Sequence, residues 1–472
     1  MNITRLVYPG FWFGKSDKEE ALKLARLGVG GFCLYNGTTE EVKNLIEELR
    51  ANSPHRLLIC CDYEYGLGRW HKDAPLLASN ISVGASGRED LSYKKGYLTA
   101  IQARTLGVDW VFAPVVDLAQ EPKNPIVNTR SFGADPRKVA SLARSFMIGL
   151  EDGGCLNTLK HFPGHGSTTI DSHLAMPVLE KKFNLLEEQD LLPYKQLITK
   201  ADSIMVGHLN IPYLDDKLPA SFSPKVIQKY LRKEMHYKGL IITDALVMKA
   251  IGPRLDPLDA YRAGADILLC PSEPFALIER LKDVVKENTI RAQEAISQQE
   301  KLISKLAFMQ PIPCRVEEPC KKLNKDIAEN CLVQKGSFNI EKGETIYYLE
   351  AETYPSKEWR AKIFIEELKK QGITVKPYTP KVKDGKIVIA TYSNYAAFSG
   401  QINFTKEQIV LLQKIIDENK KTVLITYGSP FVDKDLKNLT SFVMAGSAGE
   451  EFEQATSALL LNKLQAKGKM PF

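Results

Sequence analysis

The 472-residue sequence predicts an α/β protein, a (β/α)8 TIM-like barrel followed by a smaller C-terminal α/β sandwich domain. Three observations predict it. Eight short apolar runs, each followed by a turn and a helical pattern, recur over roughly the first 300 residues. Polar residues able to do chemistry sit at the C-terminal ends of those runs. A second alternation of strands and helices then begins beyond a segment carrying three prolines.

In chain order the runs are Arg5–Phe13, Gly30–Tyr35, Leu57–Asp62, Asp109–Val116, Cys155–His161, Ser203–His208, Leu240–Asp244 and Asp266–Cys270. Strands separated by helices argue for a parallel sheet, and eight such units match a closed barrel, whose usual length is about 250 residues. The spacing after the second and fourth runs predicts insertions there. Pro271–Met309 is helical and charged and closes the barrel, and PIPCRVEEPCKKL reads as a linker. Beyond it, TIYYLEA, ITVKPY, GKIVIATYS, KTVLITYG and SFVMAG read as strands between amphipathic helices. The expected division is a barrel over 1–310, a linker over 311–334 and an α/β domain over 335–472.

Composition is that of a globular chain, with 44% hydrophobic and 25% charged residues. A net charge of +6 over this length makes no electrostatic case for a nucleic-acid partner. The opening stretch lacks the pattern of a secretory signal, and no run reaches the roughly 18 to 20 apolar residues of a membrane span, so a cytoplasmic protein with no membrane partner is expected. Eight cysteines without paired Cys-x-x-Cys spacing read as buried reduced thiols.

The strand-end residues are Asp62 and Glu64, Asp117, Lys160 and His161, His208, and Asp244. In a barrel these ends share one face, so residues far apart in sequence converge on one pocket. The densest stretch is Leu159–Pro177, LKHFPGHGSTTIDSHLAMP, which holds three of the seven histidines. In it Asp171 lies two positions before His173, close enough to hold the imidazole and raise its basicity for work as an acid and then a base; the alternative is that each histidine only tethers a loop. Asp244, ending GLIIT, can serve as a nucleophile or cap the helix-like segment that follows.

These residues resemble the family 3 glycoside hydrolases, and within them the β-N-acetylglucosaminidase (β-N-acetylhexosaminidase) branch in its two-domain form. The resemblance rests on KHFPGHG with DSH, PVVDL at 114–118, NTRSFGADP at 128–136, GHLNIP at 207–212, GLIITDALVM, and the ending SALLLNKLQAKGKMPF. It implies Asp244 as catalytic nucleophile and His173, supported by Asp171, as the acid/base. It also implies Asp62, Arg130, Lys160, His161 and His208 around the first sugar subsite. Arg130 has an alternative as a partner of Asp135, and Lys160 as a neutraliser of Asp62 or Glu64. The segment DYEYGLGRW departs from the branch: Tyr65 replaces a glycine, and Arg69 precedes the usual arginine position, which Trp70 occupies.

The implied activity is retaining exo-hydrolysis of terminal non-reducing β-linked N-acetylglucosamine, from peptidoglycan (muropeptide) fragments in a recycling route or from chito-oligosaccharides. Rival readings are a β-N-acetylglucosaminide phosphorylase, a family 3 β-glucosidase or β-xylosidase, and a non-catalytic carbohydrate-binding protein. No cofactor or metal is implied, the expected partner is a small carbohydrate, and the oligomeric state is monomer or dimer.

Overall fold

The computed structural model describes residues 2–309, 316–351, 360–394, 399–400 and 402–472. The first predicted run is two strands, β1 (Val7–Tyr8) and β2 (Gly10–Trp12), parted by Pro9, which has no N–H for a ladder. The break lets one stave face two neighbours. β2 pairs in parallel with β3 (Gly31–Tyr35), then β4 (Leu58–Cys61) and β5 (Trp110–Val111). Isolated parallel bridges Trp110 to Leu156 and Val115 to Lys160 carry the ring on to β6 (Thr158–Phe162). From there it passes through β7 (Ser203–Val206) and β8 (Leu240–Thr243). A bridge from Ile242 to Ile267 leads to β9 (Leu268–Leu269), and β9 pairs with β1 to close the barrel.

Both faces of the staves are buried, so alternate side chains enter two separate cores. Tyr8, Cys33, Tyr35, Leu58, Cys60, Trp110, Phe112, Leu156, Met205, Leu240 and Ile242 fill the interior. Phe32, Leu34, Ile59, Val111, Leu159, Ile204 and Ile241 face the outer helices. Gly31 is required by this packing, since a Cβ there would lie 1.8 Å from the Leu58 carbonyl oxygen. Leu306, on helix Thr289–Phe308, joins the interior cluster, which places that helix across one end of the barrel.

Two expectations are corrected. The long insertion follows β4, where residues 62–109 hold helices Asn80–Ser86 and Glu89–Leu106, whereas β3 and β4 are joined by the single helix Thr39–Ala51. Of the segment expected as a linker over 311–334, residues 311–315 lie outside the described residues, and the rest contains helix Glu317–Cys331 and the start of strand β10 (Val333–Lys335). Pro319 does not break this helix, because it stands in the first helical turn, where its missing N–H costs nothing. This helix packs against both Asn80–Ser86 and the last helix, Glu450–Leu460.

A second sheet has the order β10, β15 (Ser441–Met444), β14 (Thr422–Thr426), β13 (Lys386–Thr391), β11 (Thr345–Glu350), β12 (Thr374–Pro377). All its strands run parallel except the edge strand β10. Helix Lys406–Glu418 begins in a capping box formed by Thr405 and Gln408. Loops of the barrel and of the second α/β unit are tied by polar contacts: Asn128 Nδ2 donates to Ser429 Oγ at 3.0 Å, and Asn403 Nδ2 to the Pro122 carbonyl at 3.0 Å. The seven cysteines among the described residues are buried, and no described helix is long and apolar enough to cross a membrane.

Aspartates pin the N-terminal rim of the barrel. Asp109 has a fully buried side chain and meets Arg50 at 2.7 Å, Arg56 at 3.0 Å and Arg104 at 2.5 Å. Asp202 pairs with Lys305, and Asp266 with Arg232. Replacing Asp109 with Ala leaves three guanidinium groups around an empty acceptor, so a loss of about 3 kcal/mol or more is expected in urea unfolding, with little change in the chemistry of the opposite rim.

Candidate active site

At the other rim, the ends of β2, β3, β4, β6 and β8 surround a cavity of about 190 Å³. Its lining includes Asp62, Glu64, Arg130, Lys160, His161, His165, His173 and Asp244, with Trp12, Tyr35 and Trp70 along one side. Trp12 stacks on Tyr35 at 5.0 Å, and Trp70 meets Tyr35 edge-on while its Nε1 donates to the Asp62 carbonyl at 2.8 Å.

Glu64 is the hub of the charged wall. Arg130 grips it with two hydrogen bonds, Nε to Oε2 at 2.8 Å and Nη2 to Oε1 at 2.6 Å. Lys160 Nζ lies 2.7 Å from Glu64 Oε1 and 2.7 Å from Asp62 Oδ1. Burial pushes the Glu64 carboxyl up, but Arg130 and Lys160 outweigh it and hold it far below the ordinary range. Burial opposes the charged form of Lys160 too, and the two carboxylates raise it above its usual value. Asp135, the alternative partner for Arg130, instead caps helix Pro136–Asp152 by accepting from the N–H groups of Arg137 and Lys138.

Asp117 orders the histidines of the central motif. Its Oδ2 accepts from His161 Nδ1 at 2.7 Å and its Oδ1 from the His165 N–H at 2.7 Å. His161 Nε2 then faces Arg130 Nη2 at 3.5 Å. Burial drops His165 to about 4, keeping it neutral, and its Nδ1 lies 2.7 Å from Thr168 Oγ1. Farther along the loop, His173 Nδ1 lies 2.9 Å from Asp171 Oδ1, and the same oxygen accepts from the His173 N–H at 2.8 Å. Burial works against the Asp171 carboxylate, while both groups of His173 and the Gly400 N–H, from the segment between β13 and helix Lys406–Glu418, pull it below its ordinary value.

Asp244 follows β8, with Oδ1 accepting from the Ala245 N–H at 2.8 Å. Burial pushes it up, yet His161, His208, that N–H and His173 bring it to about 2. No helix follows it: Ala245–Gly252 is a series of turns, and the next helix is Pro257–Ala263, so the capping alternative falls away. His208 does not line the cavity. Its Nδ1 is 2.7 Å from Ser221 Oγ and its Nε2 is 3.2 Å from the Ala245 carbonyl, so both ring nitrogens are taken up behind Asp244. The family resemblance implied this residue near the first sugar subsite; its ring turns toward Ser221 and the segment after β8.

The fold therefore brings Asp62, Arg130, Lys160, His161, His173 and Asp244 together, with Asp171 directly behind His173. It adds Glu64, Asp117 and His165, whose strand-end or motif positions were legible, and Trp12 and Tyr35, whose positions at the ends of β2 and β3 carried the same signal.

A parallel barrel whose mouth gathers carboxylates, imidazoles, an ammonium and a guanidinium around one small cavity has the architecture of a barrel enzyme. Residues 2–305 match the Glycosyl hydrolase family 3 N terminal domain, and the chain belongs to that family. It is 34% identical over 275 residues to a beta-hexosaminidase of Idiomarina loihiensis, covering 56% of this chain and 82% of that protein. It is 32% identical over 278 residues to beta-hexosaminidase A of Pseudoalteromonas piscicida, covering 52% of this chain and 46% of that longer protein. Among solved structures, a family 3 β-N-acetylglucosaminidase from Paenibacillus sp. str. FPU-7 matches with a TM-score of 0.86 at 25% identity, over 100% of this chain and 98% of the other. The beta-glucoside phosphorylase BglX, with a TM-score of 0.89 at 21% identity over 100% of this chain and 93% of its own, shares the fold.

The folded pKa of Asp244, about 2, lies below the unfolded value of about 3.9, so its ionised form contributes stability above pH of about 4 that is lost as pH falls through about 2. Asp244→Asn should therefore lose less stability than the wild type between about pH 4.5 and 2.5 in urea titrations. Equal losses would contradict the charge balance around this residue.

Proposed function

We propose that the protein is a retaining exo-β-N-acetylglucosaminidase that releases a terminal, non-reducing β-linked N-acetylglucosamine. The observation that carries this reading is the Asp171–His173 pair on the wall of the same cavity as Asp244. The names of the relatives, beta-hexosaminidase and β-N-acetylglucosaminidase, support the sugar class. The cavity is on the scale of one pyranose ring, in keeping with removal of single terminal units.

In this mechanism Asp244, ionised at any working pH, attacks the anomeric carbon, and the glycosidic C–O bond breaks as the glycosyl-aspartate ester forms. With Nδ1–H of His173 held by Asp171, Nε2 is the atom that trades the proton. As the imidazolium it gives a proton to the departing oxygen; as the neutral ring it takes one from the water that hydrolyses the ester, which restores Asp244 and retains the β configuration. An imidazole here avoids the repulsion that a second carboxylate would exert on the nucleophile. Glu64, neutralised by Arg130 and Lys160, and Asp62 offer acceptors to sugar hydroxyls, while Arg130 and Lys160 offer donors. The substrates are muropeptide fragments met in a cytoplasmic recycling route, or chito-oligosaccharides.

Asp244→Asn is expected to reduce turnover of aryl β-N-acetylglucosaminides to background. His173→Ala is expected to cost about 10²- to 10⁴-fold with poor leaving groups and far less with activated ones. Equal loss on both classes would remove His173 as the acid. A panel of aryl glycosides differing at C2 tests the sugar: preference for 2-hydroxy over 2-acetamido substrates would move the protein to the glucosidase reading, and formation of sugar 1-phosphate on adding phosphate would move it to the phosphorylase reading.

A further inference from the structure

Beneath the Glu64–Arg130 pair lies a lysine that the mechanism does not use. Lys95, on helix Glu89–Leu106, is fully buried, and burial brings its ammonium down to about 7 despite the attraction of nearby Glu64. Its Nζ donates to Asn80 Oδ1 at 2.5 Å. It also lies 5.3 Å from the centre of the Tyr65 ring and 5.9 Å from that of Phe146. A methionine would fill the same space without burying a charge, so the ammonium calls for another account.

We propose that Lys95 is a positioning residue for the sugar pocket, fixing through Asn80 and Tyr65 the two loops that carry Arg130 and the Asp62–Glu64 pair. The Asn80 side chain can sit either way round in its site. Because Oδ1 accepts from Lys95, Nδ2 must face the Arg130 carbonyl, to which it donates at 2.7 Å; the flipped amide would set NH2 against the ammonium and oxygen against the carbonyl. Arg130 is thus held at both ends, its carbonyl by Asn80 and its guanidinium by Glu64. The Tyr65 ring beside the ammonium reaches across with its hydroxyl to Thr129 Oγ1 at 2.9 Å, and Thr129 in turn donates at 2.5 Å to Asn394 Oδ1, which follows β13. Tyr65 thus joins the strand-end carboxylates to the Arg130 turn through a side chain that a glycine could not supply.

This proposal rests on the reading of the cavity as a sugar pocket, and it is tested separately from the choice of sugar. Binding of N-acetylglucosamine and of glucose is read by quenching of the pocket tryptophans Trp12 and Trp70, and turnover is read on the aryl glycoside that the wild type cleaves best. Lys95→Met and Asn80→Ala should each raise Kd and KM about tenfold, with kcat within about threefold of wild type, and the double variant should be no worse than the larger single effect within about twofold. Asn80→Asp is the decisive control. It keeps the acceptor for Lys95 and strengthens that pairing, but it replaces the donor to the Arg130 carbonyl with an oxygen, so Kd and KM should rise while the melting temperature holds. A space-filling or purely stabilising role predicts unchanged affinity in Asn80→Asp, and that result overturns the proposal, as do unchanged affinity in a folded Lys95→Met or additive effects in the double variant. If Lys95→Met does not fold, the two Asn80 variants decide. A preference for 2-hydroxy sugars would change the proposed activity and leave this test standing. A wild-type pocket that binds neither sugar would overturn both.

Discussion

Around Glu64, two buried cations and two carboxylates are confined to one wall of the barrel mouth, and the surrounding structure is arranged to keep those four charges satisfied. A charge withdrawn from water survives only when its partners are close and well aimed. Here Arg130 supplies a two-point grip and Lys160 spans both carboxylates. The four groups come from after β4, from the turn at Asn128–Arg130 and from β6, so satisfying the charges also fixes three separate parts of the rim against one another. The net result is a wall that is close to neutral yet rich in donors and acceptors, which suits a polar, uncharged ligand better than an ionic one.

The barrel divides its aspartates by rim. At the N-terminal rim, Asp109, Asp202 and Asp266 are locked to arginine or lysine and hold the staves in place. At the C-terminal rim, Asp244 has no such cation on it; imidazoles and one backbone N–H keep it ionised. In the proposed mechanism, that difference is what lets Asp244 react where Asp109 does not. The segment after β13 also takes part at this rim, because Gly400 faces Asp171 and Asn394 reaches the Arg130 turn, so both the His173 loop and the charged wall lean on it.

Much of this was legible in the chain. Apolar runs ending in Asp, Glu, Lys or His gave the barrel and its active face, and the spacing of Asp171 and His173 gave their hydrogen bond. The features that escaped depend on direction or on distant partners. Nothing local says that Arg130 chooses Glu64, 66 positions away, over neighbouring Asp135. The turn of the His208 ring toward the Ala245 carbonyl is likewise set by where the segment after β8 runs. Pro319 hid a helix because proline is read as a breaker, although it is harmless in a first turn. Lys95 was invisible because a lysine in an amphipathic helix normally faces water, and only the packing of helix Glu89–Leu106 against the rim loops shows otherwise.

The central claim is that Asp244 forms the covalent bond to sugar. It is tested most directly by mass spectrometry of the protein after reaction with a 5-fluoro N-acetylglucosaminyl fluoride, which slows breakdown of a glycosyl-enzyme more than its formation. The account requires one sugar adduct per chain, mapping to the peptide that contains Asp244 and absent from Asp244→Asn. An adduct on another residue, or steady turnover of the reagent with no adduct accumulating and with Asp244→Asn equally active, would contradict it.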